Sequence, residues 1–174
     1  ESAALKGSIK AQAELGINYK SGIGVEDNEQ VALYWLKKAA QQGNAMAQNN
    51  LGVSYHNGTG VNKDIDQALY WYTLAAEQNY PLSFRNLGSI YITEFHDAEK
   101  AIKYYELAIE HKDYAAAWDL AYLYERGNDG VEVNEKLAFK WMLLGAEHFN
   151  KHAQFRVSIM YLDGYGTEVD EAES

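Results

Sequence analysis

Five histidines, His56, His96, His111, His148 and His152, are the side chains best suited to hold a metal or move a proton near neutral pH. His148 and His152 lie four apart, a spacing that sets two imidazoles on one helix face. They flank Phe149-Asn150, which reads as a turn between elements, and no third ligand stands in register with them. His56 reads as a surface histidine or, in the groove described below, as a pH-sensitive contact. There is no cysteine, which excludes thiol catalysis, disulfides and cysteine metal sites. No Gly-x-Ser-x-Gly elbow, phosphate loop or dinucleotide fingerprint occurs. Asn128-Asp129-Gly130 and Asp163-Gly164 carry too few oxygen ligands for a calcium loop, and Glu168–Glu173 reads as solvated acidic chain. The expectation is therefore a chain without cofactor, metal site or enzymatic activity. An enzyme working through a groove carboxylate is the outlying reading, and no paired carboxylates support it.

The residues that recur are not chemical but structural. Leu15-Gly16 returns as Leu51-Gly52, Tyr19 as Tyr55, Gly22-x-Gly24-Val25 as Gly58-x-Gly60-Val61, Trp35 as Trp71, and Ala39-Ala40 as Ala75-Ala76, each 36 positions on. Each unit reads as a first helix, a glycine loop and a second helix. The position that opens the second helix holds Asn28, Asp64, Asp97, Asn134 and Asp170, all residues that accept hydrogen bonds from free helix-start amides. A third unit keeps Leu87-Gly88 and Tyr91 but replaces the glycine loop by Thr93–His96, and Tyr104 stands where the Trp is expected. A fourth has Leu120-Ala121, Tyr124, a loop lengthened by one residue, and Trp141. A fifth stops after its loop, so Val157 and Tyr161 are expected to lack the second helix on which they would pack. Residues 1–8 read as a capping turn or as the remnant of something preceding.

Two helices joined by a short loop cannot bury both faces alone, and stacking on neighbours completes their core. The small residue after each Leu lets helices approach closely, and the Tyr and Trp supply large buried area. The chain of 174 residues is 47% apolar with a single proline, which fits a helical domain with a core. The net charge of −10 repels phosphate backbones, which argues against nucleic acid and favours a basic protein partner. No apolar run approaches a membrane span, so direct membrane insertion is not expected. Residues 1–10 lack the apolar core of a secretion signal, which leaves open a mature domain whose signal has been removed. A cysteine-free chain suits either redox compartment, and bacterial periplasm and cytoplasm both remain open.

The combined pattern, Leu-Gly-x-x-Tyr, Gly-x-Gly-Val, an acidic or amide cap and Ala-x-x-Trp-x-x-x-Ala-Ala, resembles the Sel-one-like repeat family, a relative of tetratricopeptide repeats. The resemblance implies an all-α fold, an α/α superhelical solenoid of about four and a half repeats. It implies one domain over residues 1–174, with repeats at about 8–43, 44–79, 80–112 and 113–149 and a partial one at 150–174. It further implies a non-enzymatic adaptor that binds a protein partner in a concave groove. A bacterial immunity or inhibitor protein that neutralises a specific secreted toxin is the alternative.

In stacked helical pairs the first helices line the concave side. The positions two before each Leu, two after it and one after each Tyr should then face the groove. They form three rows: Ala13, Asn49, Arg85, Trp118, Phe155; Ile17, Val53, Ser89, Tyr122, Ile159; and Lys20, His56, Ile92, Glu125, Leu162. The last two repeats bring Trp118, Tyr122, Phe155, Ile159 and Leu162 together, and exposed aromatic clusters are where binding energy concentrates. Arg85 and Glu125 would fix a partner's orientation. The competing reading has Trp118 and Phe155 pack on each other as filling between repeats. A symmetric homodimer is one way to cover the C-terminal edge.

Overall fold

The computed structural model describes residues 2–127, 130–148 and 151–167, and every described element is helical. Ten helices follow in order: α1 Ser2–Leu5, α2 Ile9–Ser21, α3 Glu29–Gln41, α4 Ala45–Asn57, α5 Ile65–Ala76, α6 Pro81–Thr93, α7 Ala98–Glu110, α8 Ala115–Arg126, α9 Glu135–Glu147 and α10 Lys151–Asp163. The expected all-α class is the observed one. The chain forms two compact units, Glu1–Leu87 and Gly88–Ser174.

The starts of the second helices are built as the sequence predicts. Oδ1 of Asn28, Asp64, Asp97 and Asn134 accepts from the backbone N–H three residues on, at 3.1, 3.0, 3.1 and 3.0 Å. Asp170, the fifth expected cap, lies outside the described residues. The same four cap residues do a second job that their type does not reveal. Each donates its own N–H to a tyrosine carbonyl of the first helix: Asn28 to Tyr19 at 2.8 Å, Asp64 to Tyr55 at 2.9 Å, Asp97 to Tyr91 at 2.8 Å and Asn134 to Tyr124 at 2.9 Å. That bond closes the loop whatever its length, so the third repeat folds without the glycines. Where glycines are present they end the first helix, with Gly22, Gly58 and Gly127 at φ of 64°, 72° and 66°.

Within unit 1, one core cluster gathers Ala13, Leu33, Leu36, Ala39, Ala40, Ala47 and Leu51, with Ile17, Met46, Tyr55, Val61 and Trp71 packed against it. Val61 thus fills the loop side of the helix pair, as expected. A smaller cluster joins Ala4, Leu15 and Trp35. In unit 2, Ala121, Ala138, Met142, Ala153, Val157 and Met160 form the corresponding core. Fully burying Leu36 or Leu51 is worth about 1.5–3 kcal/mol relative to exposure.

The recurring Trp is not the deepest residue of its helix. Trp35 is buried, but Trp71 and Trp141 are only half-buried. The residue after it goes deeper: Leu36, Tyr72, Tyr105 and Met142 are between 0% and 5% exposed. The reason lies across the helix pair. A Cβ on Gly16 would stand 2.8 Å from Leu36 Cγ, one on Gly52 2.6 Å from the Tyr72 ring, and one on Gly88 2.7 Å from the Tyr105 ring. The glycine of each Leu-Gly pair is the floor of a socket for the side chain beyond the Trp position. Val157 packs into the unit 2 core, so it does not want for a missing helix. Tyr161 remains 59% exposed and meets the edge of Phe139 at 5.1 Å.

Candidate protein-binding site

The three predicted rows do not share one environment. In unit 1 two of their members are not surface groups at all. Ala13 is 0% exposed and Asn49 4%, and the Asn49 side-chain oxygen accepts from Asn86 Nδ2 at 2.9 Å. Asn49 was expected to face a groove; it is instead a buried polar tie between α4 and α6, where its amide must find a protein partner. Ile17 and Val53 are half-buried, Ile17 against the core cluster. Lys20 is half-buried, and the loss of solvent holds its ammonium below the ordinary lysine value. His56 is half-buried with its ring edge toward Tyr72 at 6.3 Å, and Arg85 is half-buried too.

Unit 2 is different. Ile92 near the end of α6 and Trp118 and Tyr122 on α8, three of the predicted positions, line one cleft of about 430 Å³ together with Thr93, Tyr105, Asp119 and Leu123. Helical spacing places Trp118 and Tyr122 four apart on one face of α8. Trp118 is half-buried on the core side, where it packs against the Val157 cluster and meets the edge of His152 at 6.2 Å. Tyr122 stays 42% exposed, with the Arg126 guanidinium 4.4 Å from its ring centroid. Ser89 is half-buried, and its carbonyl accepts from the Thr93 hydroxyl at 2.8 Å. Sequence reasoning missed Tyr105 as a wall of this cleft, because it sits on a second helix. Asp119, adjacent to Trp118, is the acidic residue of the lining.

The α10 members stand apart from the cleft wall. Phe155 and Leu162 are 70% and 86% exposed and Ile159 is half-buried. Phe155 at that exposure is not inter-repeat filling. Glu125, expected to orient a partner, is engaged within the chain: Arg156 donates to its carboxylate, tying α10 to α8. The paired histidines are engaged as well. His148 Nδ1 lies 3.0 Å from the Leu144 carbonyl and its ring stacks on Tyr114, while His152 faces Trp118. Among the described residues no three His, Asp or Glu side chains gather into a metal-holding group. Among the same residues no helix is long and apolar enough to cross a membrane. Asn128-Asp129 and Glu168–Glu173 lie outside the described residues.

Comparison with known proteins fits this geometry. The Sel1 repeat model matches residues 9–44, 45–80, 86–113, 115–148 and 151–174. Among solved structures, a Sel1 repeat protein from Oxalobacter formigenes is 34% identical with a TM-score of 0.83, covering 92% of this chain and 66% of its own. The protein c5321, a protective antigen of uropathogenic Escherichia coli strains that displays this repeat fold, is 35% identical with a TM-score of 0.82, covering 97% of this chain and 36% of its own. The immunity protein Pa5087 from Pseudomonas aeruginosa is similar in fold, at 23% identity and a TM-score of 0.66, over 92% of this chain and 60% of its own. The chain thus spans about two thirds of the first of these proteins and about a third of the second. Comparison with curated protein sequences gives no match. Proteins of this repeat type mediate protein–protein interaction, and their fold is typically a non-catalytic scaffold. With five matched repeats, four helix pairs capped in the same way, and relatives above 30% identity over nearly its whole length, the chain belongs to the Sel1 repeat family.

Proposed function

We propose that this chain is a non-enzymatic adaptor and that the unit 2 cleft takes an apolar side chain of a protein partner. The observation that carries the reading is the cleft of about 430 Å³ between Ile92, Trp118 and Tyr122. It presents aromatic surface that the core has not absorbed, and such surface concentrates binding energy.

The test is capture of a partner by the purified chain and by Tyr122→Ala. Tyr122 is 42% exposed, so its loss should spare the melting temperature. Capture should fall by at least about tenfold. Full capture by a folded Tyr122→Ala protein rejects this cleft as the binding site.

A second reading is a dedicated inhibitor of a basic toxin, favoured by the net charge of −10. Its mark is salt dependence. A basic partner held by long-range attraction loses on-rate steeply as ionic strength rises, whereas an adaptor anchored in an apolar cleft changes little.

A further inference from the structure

Arg126, in the last turn of α8, holds a position where the repeat asks for no cation. In register it is Ser21, Asn57 and Thr93 in the first three repeats and Asp163 in the fifth. Tyr122, one helical turn earlier, stands where Ile17, Val53, Ser89 and Ile159 stand in the others. The fourth repeat alone thus carries an aromatic ring and a guanidinium at this pair of positions, four apart on one face of α8. The two side chains meet, with the Arg126 guanidinium 4.4 Å from the Tyr122 ring centroid. Tyr122 lines the unit 2 cleft, so the cation stands at the cleft's edge.

The other charges around the cleft are committed. Glu125, next to Arg126 in sequence, accepts from Arg156, and no ion pair among the described residues engages Arg126. Asp119, the acidic residue of the lining, and Glu94, just past Thr93, each already have a partner. The rest of the lining carries no charge. Stacking on Tyr122 restrains the guanidinium without using its N–H donors. An arginine held in this way is prepared for a carboxylate, which it can receive through two parallel hydrogen bonds.

Granted that the cleft binds a partner, we propose that its occupant is an acidic segment: an apolar side chain against Trp118 and Tyr122, with an Asp or Glu beside it whose carboxylate pairs with Arg126. Local charge complementarity carries this choice. The guanidinium is the one uncommitted charge at the cleft among the described residues. The chain's net charge of −10 is screened beyond about 8 Å at physiological salt, so it does not outweigh a contact at hydrogen-bond distance. The orienting role expected of Arg85 and Glu125 falls to Arg126, since both of those are engaged within the chain.

Three capped tetrapeptide amides test the choice, sharing a phenylalanine and carrying glutamate, glutamine or lysine next to it. Each is titrated into the full chain at about 0.15 M salt. The NMR signals of the Trp118 indole and the Arg126 guanidinium report where it binds and how tightly. The glutamate peptide should bind about threefold to fivefold more tightly than the glutamine peptide, as an exposed ion pair allows, and the lysine peptide should bind most weakly. Arg126→Gln, at an exposed position, should abolish the preference for glutamate over glutamine. Equal affinity for the glutamate and glutamine peptides, with the Trp118 signal moving, overturns the acidic partner and leaves the cleft standing as the binding site. A preference for the lysine peptide does the same. A glutamate preference that survives in Arg126→Gln overturns the role of Arg126. A Trp118 signal that none of the peptides moves overturns the cleft and its occupant together.

Discussion

Gln78 Nε2 donates to Gln48 Oε1 at 2.7 Å, and Gln48 Nε2 donates in turn to the Ala40 carbonyl at 3.2 Å. The same chain of bonds occurs one repeat earlier, where Gln42 donates to Gln12 at 2.7 Å and Gln12 to Ala4 at 3.1 Å. Each chain ties the end of one helix, α3 or α1, through the helix that follows it, α4 or α2, to the turn just beyond α5 or α3. Gln154 repeats the second half of the motif on the Ala146 carbonyl at 3.0 Å. Gln48 is 4% exposed, so its amide groups have no water to fall back on. Gln48→Met should therefore cost about 1–3 kcal/mol, because two side-chain hydrogen bonds, to the Ala40 carbonyl and from Gln78, are lost. Gln78→Met, at an exposed position, should cost less. Urea unfolding of the two variants and the double variant measures both the costs and their coupling.

The socket beneath Tyr72 makes a second case. An added Cβ at Gly52 would lie 2.6 Å from its ring, and the ring cannot retreat from a core position that is 1% exposed. Gly52→Ala should destabilise unit 1 by about 1–3 kcal/mol through overpacking. Adding Tyr72→Leu should recover part of that loss, since a smaller side chain leaves room for the methyl. Thermal melts that show simple additivity would mean that the two residues do not compete for space.

Burial also pushes the Tyr72 phenol well above the ordinary tyrosine range. The sign follows from proton binding: above about pH 10 the unfolded phenol loses its proton while the folded one keeps it. The contribution is fully present below that pH and is lost as pH rises. Tyr72→Phe should leave neutral-pH stability little changed and flatten the alkaline loss. Tyr80, Tyr104, Tyr124 and Tyr165 are raised in the same direction by burial, so some slope should remain. Chemical denaturation between pH 8 and about pH 11 reads the difference.

Asn134 holds the Leu137 N–H with its side chain and the Tyr124 carbonyl with its backbone. Only the first bond is lost in Asn134→Ala, which should cost about 1 kcal/mol. Asn134→Asp keeps the acceptor and should be nearly neutral. A cost in Asn134→Asp as large as in the Ala variant would show that the side chain does something other than cap.

Much of this was legible before any coordinates. Caps, loop glycines, small residues after each Leu and paired alanines are local or periodic demands, and residue type alone meets them. Asn28, Asp64, Asp97 and Asn134 cap as their type requires, and the glycines at Gly16, Gly52 and Gly88 sit where helices meet. The candidate site was legible only in part. Ile92, Trp118 and Tyr122 do line one cleft. Asn49 was misplaced because helical spacing gives a direction but not the neighbour waiting there, which is Asn86 on another helix. Nor does helical spacing announce that Arg156 on α10 pairs with Glu125.

Sequence by itself determined the repeat, its helix boundaries and its all-α class, because each rests on contacts within a few residues or on a period that chain order preserves. Tertiary structure alone decided which side of the Trp position goes deepest and which amides pair. Those outcomes depend on how close two helices come and on which group already fills the space between them, and neither quantity is written along the chain.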